Sequence, residues 1–182
     1  RFFNTEGPTY PAKHYCLPPL ARIDLPSVRD LIGQEKYFVL HAPRQTGKTT
    51  LLKIITEKLV KEKKAKAQNI FYFDLEDFEL LEMCNKGHRE VISYIESRSG
   101  KPHKGKIYLL IDEVQYLSDP SSLLKILHDH YEWLKVIVSG SSSFNIKKKL
   151  SDSLVGGSVN FEMYPLFFEE FLLFKEFHFS AK

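Results

Sequence analysis

The run Ala42-Pro-Arg-Gln-Thr-Gly-Lys-Thr49 carries the strongest chemical signal in this sequence. It follows the phosphate-binding loop pattern Gly-x-x-x-x-Gly-Lys-Ser/Thr, with Ala42 in place of the first glycine. Gly47 lets the chain turn so that successive N–H groups point inward. Those groups, with the positive pole of the helix that follows, take up phosphate oxygens. On this reading Pro43, Arg44, Gln45, Thr46, Gly47, Lys48, Thr49 and Thr50 surround the phosphates of a nucleoside triphosphate. Lys48 reaches the β- and γ-phosphates, and the Thr49 hydroxyl ligates Mg²⁺. Ala42 adds one methyl at the loop entry and removes no phosphate-facing donor.

A second signal is Ile107-Tyr-Leu-Leu-Ile-Asp-Glu113. An apolar strand that ends in a carboxylate is common, but after a phosphate loop it has a defined use. Asp112 at the strand tip holds Mg²⁺ through water, and Glu113 polarises the attacking water as a general base. A third signal is Val136-Ile-Val-Ser-Gly-Ser-Ser-Ser143. Here Ser141, with Ser139 close behind, either touches the γ-phosphate or orients the water. The alternative is an ordinary serine-rich turn that caps the next helix. The catalytic candidates are therefore Glu113, Lys48 and Ser141, and the metal candidates Thr49 and Asp112. No Asn-Lys-x-Asp guanine motif is present.

These residues need strands and helices to place them. Residues 37–41 form a short apolar run before a turn-rich stretch, which predicts a buried strand. A helix is predicted from Lys48 to about Lys64, with Leu51, Leu52, Ile55, Leu59 and Val60 on its apolar stripe. Its lysine-rich end reads as a solvated helix terminus whose cations suit the negative pole of the dipole. Further strands are predicted over 69–75, 107–111, 134–138 and 159–164. Helical segments are predicted through 90–97, over 121–131 and 147–150, and from Phe167 onward. Strands alternate with helices, so the expected fold is α/β, three-layered, with a five-stranded mostly parallel sheet. The strand–helix unit over 69–99 is expected to set an extra strand between the loop strand and the Asp-Glu strand. With Glu113 next to Asp112, that arrangement resembles the ATP-hydrolysing branch of phosphate-loop proteins.

Composition sets the outer bounds. The 182 residues are 43% hydrophobic and 13% aromatic, which rules out a natively disordered chain. A net charge of +3 is too mild to argue for nucleic acid. The two cysteines, Cys16 and Cys84, form no CxxC pair and read as free thiols of a reducing, cytoplasmic compartment. No apolar run approaches 18 residues, so no membrane span is expected. Residues 1–34 read as a proline-rich lead-in and a short helix, and residues 35–182 as the core domain. The chain lacks an initiator Met and stops within a predicted helix, so a piece of a longer protein is expected.

Taken together, the motifs resemble the AAA+-type ATPases of archaea and bacteria. The resemblance rests on Ala-Pro-Arg-Gln-Thr-Gly-Lys-Thr-Thr-Leu, Ile-Asp-Glu-Val-Gln-Tyr-Leu, Val-Ser-Gly-Ser-Ser and Tyr164-Pro-Leu-Phe-Phe-Glu-Glu-Phe-Leu172. It covers about residues 35–175. It implies a P-loop NTPase of the AAA+ kind that uses ATP and Mg²⁺. It also implies a C-terminal nuclease-like or DNA-binding domain, a DNA or protein partner reached through it, and a homo-oligomer. One departure stands out. Similar proteins carry an arginine before the fifth strand, where this chain has Gly157. An arginine finger is worth about 10³–10⁵ in rate where it is used. Slow basal hydrolysis is therefore expected, or an arginine from elsewhere. Besides the hydrolase, an ATP-binding switch with negligible hydrolysis fits this departure. A nucleotide kinase fits less well, since no arginine-rich lid is visible.

Overall fold

A computed structural model describes residues 12, 37–42, 47–62, 65–100, 105–141 and 158–162. Of residues 37, 38, 41, 42, 141 and 158–162 it describes the backbone alone. The predicted lead-in and first helix, loop residues 43–46, the basic helix over 147–150 and the helix from Phe167 lie outside the described residues.

Among the described residues five strands form one sheet: β1 (Tyr37–Ala42), β2 (Ile70–Asp74), β3 (Ile107–Asp112), β4 (Leu134–Ser141) and β5 (Ser158–Glu162). Their order across the sheet is β2-β3-β4-β1-β5, and every pairing is parallel. All six residues of β3 are buried, as its near-continuous apolar run requires of a strand covered on both faces. β2 stands at an edge, and its burial alternates.

The described helices are α1 (Lys48–Lys61), α2 (Phe78–Lys86), α3 (His88–Ser99) and α4 (Pro120–His130). α1 packs Leu51, Leu52, Ile55 and Leu59 against Leu40, Tyr108, Leu110 and Ile137 on one face of the sheet. The other face, including Val39, Phe73, Leu109, Ile111 and Val138, is covered by residues of α2, α3 and α4. Crossover chirality explains the split. The chain crosses from β1 to the far edge at β2, then steps back through β3 and β4. Right-handed connections that run in opposite directions place their helices on opposite faces.

Several expectations change in detail. α1 ends at Lys61, and Val60 faces outward at 40% exposure instead of joining the apolar stripe. The helical stretch before β3 is two helices, broken at Gly87, whose φ of 118° suits glycine. Asp77 caps the first of them by accepting from the N–H groups of Glu79 and Leu80. The largest correction concerns the sheet. The strand between β1 and β3 is β4, not the strand of the 69–99 unit. β2 lies outside β3, because β3 and β4 fill the space that the long first crossover leaves open.

Candidate functional site

All five strands run parallel, so their C-terminal ends share one edge. The ends of β1 and β4 and the tip of β3 meet there. Such an edge is where open α/β sheets place ligands.

α1 starts at this edge. Gly47 precedes it with φ 94°, a left-handed turn that aims the first helical N–H groups outward. Lys48 follows and is only 4% exposed, although it is a lysine. Its Nζ lies 3.8 Å from Glu113 Oε1.

Asp112 ends β3 and is 1% exposed. A buried carboxylate needs donors, and Asp112 accepts from four groups: Thr49 Oγ1, Tyr72 OH, Ser139 Oγ and the Glu113 N–H. Thr49 Oγ1 is 2.5 Å and Tyr72 OH 2.8 Å from Oδ2. Ser139 and the Glu113 N–H share Oδ1. Strand register accounts for the serine. Ile111 pairs with Val138, so one residue further Asp112 meets Ser139. On the other side Asp74 pairs with Asp112. Burial, then the hydrogen bond to Asp112 and the nearby carboxylates, push the Tyr72 phenol far above its ordinary range. Tyr72 therefore stays protonated and remains a donor.

Glu113 has φ 56° and is the one non-glycine residue with positive φ among the described residues. For a residue with a Cβ this conformation costs about 1–2 kcal/mol. The 3-10 turn Val114–Tyr116 supports it, with the Tyr116 N–H donating to Glu113 O at 3.1 Å. Gln115 Nε2 donates back to Glu113 Oε2. Beneath the turn runs Gly140 of β4. A Cβ there would come within 2.9 Å of Val114 Cγ1 and 3.2 Å of Gln115 Oε1. Val114 is fully buried and has nowhere to go. We expect Gly140→Ala to cost about 1–3 kcal/mol by overpacking. Urea titration checks this, and an unchanged midpoint would mean that the turn yields freely.

The structure thus brings Lys48, Thr49, Asp112 and Glu113 together, four of the candidates read from the sequence. Thr50 is exposed on the first turn of α1. Pro43, Arg44, Gln45 and Thr46 lie outside the described residues, as does the side chain of Ser141. The Ser141 backbone ends β4 opposite Ala42. Ser139 is fully buried and spends its hydroxyl on Asp112. It is thus a support for the carboxylate and does not face a ligand. Tyr72 and Gln115 had no role in the sequence reading. Tyr72 sits in a plain apolar strand and carries no motif. Gln115 lies within the Ile-Asp-Glu-Val-Gln run, two residues from Glu113, and that nearness was the available signal.

The donor set suits Mg²⁺. It offers a hydroxyl and a single carboxylate, both hard oxygens, and Mg²⁺ usually takes one or two carboxylates with phosphates and waters. Among the described residues no cluster of three or more His, Cys, Asp or Glu could hold a metal. Cys84 stands apart, and burial pushes its thiol up to about 12, so it is protonated at neutral pH. No helix of the described residues is long and apolar enough to cross a membrane.

A family model described as an AAA domain matches residues 34–172. An uncharacterized protein of Haemophilus influenzae is 28% identical over 134 residues, which are 74% of this chain and 32% of that protein. An uncharacterized protein of Methanocaldococcus jannaschii is 28% identical over 143 residues, 79% of this chain and 30% of its own. The chain spans about a third of the length of these relatives. Among solved structures, a DNA polymerase III gamma subunit-related protein from Thermotoga maritima superposes with a TM-score of 0.49 at 11% identity, covering 82% of this chain and 48% of that one. A chain in the structure of Drosophila ORC bound to DNA and Cdc6 gives a TM-score of 0.45 at 12% identity, covering 78% and 28%. At these scores the two likenesses carry no weight beside the family match.

Proposed function

The chain belongs to the AAA domain family, and from that premise we propose that it binds ATP with Mg²⁺ and hydrolyses it at the C-terminal edge of its sheet. One observation carries the proposal. A nearly buried lysine, a hydroxyl, a buried carboxylate and a second carboxylate converge at the start of α1 and the tip of β3. In this reading the loop Pro43, Arg44, Gln45, Thr46 and Gly47, with Thr50, wraps the phosphates. Lys48 neutralises the β- and γ-phosphates. Thr49 and Asp112 hold Mg²⁺, which when bound supplies charge neutralisation on the phosphates. Glu113 takes the proton of the attacking water. Ser141 is retained as a candidate for the γ-phosphate side, given its position at the end of β4 beside the loop strand.

We assign the domain to the AAA+ kind, and the order of its five strands supports this, with β4 set between β1 and β3. The matched segment makes up only about a third of each relative, which supports a further domain that couples turnover to a DNA or protein partner. A homo-oligomer and a cytoplasmic location complete the proposal. A second reading, an ATP switch with negligible intrinsic turnover, is favoured by Gly157 standing where similar proteins have arginine.

Binding and turnover of ATP, measured for the chain and for Lys48→Ala, test the hydrolytic reading. A charge-assisted contact to phosphate is worth about 1.5–3 kcal/mol, so ATP affinity should fall about 10- to 100-fold in Lys48→Ala. Chelation of Mg²⁺ should stop turnover in the unaltered chain. Equal ATP affinity with and without the lysine would sink the proposal. Lys48-dependent binding with no turnover would select the switch.

A further inference from the structure

We propose that Gln115 is the positioning residue for Glu113: it pins one carboxylate oxygen so that the other is offered to water. The proposal rests on the hydrolytic reading above and adds to it the residue that aims the base.

Glu113 is held from two sides. Oε1 faces Lys48 Nζ at 3.8 Å, and Oε2 accepts from Gln115 Nε2. The two contacts differ in permanence. Lys48 is a cation on a flexible stem, and an arriving triphosphate offers it a stronger partner than a single carboxylate. The Gln115 amide is neutral, so a triphosphate attracts it less strongly than it attracts the lysine cation. It is also confined. Its Oε1 lies near Gly140, where an added Cβ would come within 3.2 Å of it. Its backbone belongs to the 3-10 turn that is anchored by the buried Val114. When Lys48 exchanges Glu113 for phosphate, Oε1 is released and Oε2 stays tied.

The left-handed backbone at Glu113 fits this role. At φ 56° the backbone leaves the strand direction at Glu113, and Gln115 two residues later donates back to its carboxylate. A glutamate with free χ angles would spread its carboxylate over several rotamers. One hydrogen bond from the Gln115 amide selects among them without adding a charge that would quench the base. Placement within a fraction of an ångström matters here, since a misplacement of about 1 Å can cost about 10²-fold in rate.

The test is Gln115→Leu, which keeps bulk but cannot donate, with Gln115→Ala as a second variant should the leucine disturb folding. Steady-state ATP turnover and ATP affinity are measured for both, alongside the unaltered chain and Lys48→Ala. The expected result is a fall in kcat of about 10- to 100-fold with KM and ATP affinity within about twofold. In a Glu113→Gln background, Gln115→Leu should leave the remaining turnover where it was, because the residue acts through Glu113. An unchanged kcat in both variants, beside normal turnover of the unaltered chain, overturns the inference and leaves the hydrolytic reading standing. A loss shared equally by KM and affinity overturns it in favour of a structural role. Lys48-dependent ATP binding with no turnover in the unaltered chain overturns the hydrolytic reading, and this inference with it.

Discussion

Replacing Glu113 with glutamine should lower ATP turnover by about 10²–10⁴-fold, the usual contribution of a general base, while ATP affinity stays within a few-fold. The substitution keeps the size and shape of the side chain. It removes the group that takes a proton from water. Binding should survive, because the phosphate contacts come from the loop and Lys48. A slight rise in affinity is the expected direction. Lys48 Nζ stands 3.8 Å from Glu113 Oε1, and a triphosphate must draw it away from that carboxylate. In Glu113→Gln this competing attraction is gone. The left-handed backbone at 113 tolerates either residue equally, so no new strain is introduced. Phosphate release and equilibrium binding of a fluorescent ATP analogue measure the two quantities separately. Turnover within about threefold of the unaltered chain would show that the proton goes elsewhere.

The second large effect is expected at Asp112. Asp112→Ala should reduce Mg²⁺-dependent turnover by about 10²–10³-fold, as the loss of a few kcal/mol of metal-assisted stabilisation implies. It should also weaken the fold, unlike Glu113→Gln. The carboxylate accepts from Thr49, Tyr72, Ser139 and the Glu113 N–H. Ser139 is fully buried and would keep an unpaired hydroxyl. Each stranded donor costs about 1–3 kcal/mol. Removing a buried charge returns part of that through relieved desolvation. A net loss of about 2 kcal/mol is expected, read as a lower urea midpoint. Asp112→Asn separates the two effects. It retains one accepting oxygen, but its NH₂ must face one of the two donor pairs. It should recover part of the stability and little of the activity. A Mg²⁺ titration of turnover gives the decisive reading. If either variant saturates at the same Mg²⁺ concentration as the unaltered chain, Asp112 does not hold the metal.

Much of this was legible along the chain. The strand before the phosphate loop, the helix after it and the apolar run into Asp112-Glu113 are contiguous stretches, and each shows its own periodicity and punctuation. β1, β3 and α1 accordingly lie close to the predicted bounds. The break at Gly87 was less visible, because α2 and α3 form one helical pattern interrupted by a single residue. The turn at Glu113 was not visible at all. Nothing in its side-chain type signals a left-handed backbone, and the conformation exists because the buried Val114 and the adjoining Gly140 hold the turn in place.

Two kinds of information therefore meet in the site. Lys48 and Thr49 follow Gly47 in the chain, and Glu113 follows Asp112. Their chemistry could be read from the chain because neighbours in sequence are neighbours in space. The partners of Asp112 are of another kind. Thr49, Tyr72 and Ser139 stand 63, 40 and 27 positions away from it. They meet only once β2, β3 and β4 lie side by side in register and α1 covers one face. Strand order of that kind is settled by the burial of both sheet faces and by the handedness of the crossovers, acting over the whole domain. No local stretch encodes it. That is why the extra strand was expected from the wrong unit, and why Ser139 and Tyr72 came into view as supports of Asp112 only when the sheet was assembled.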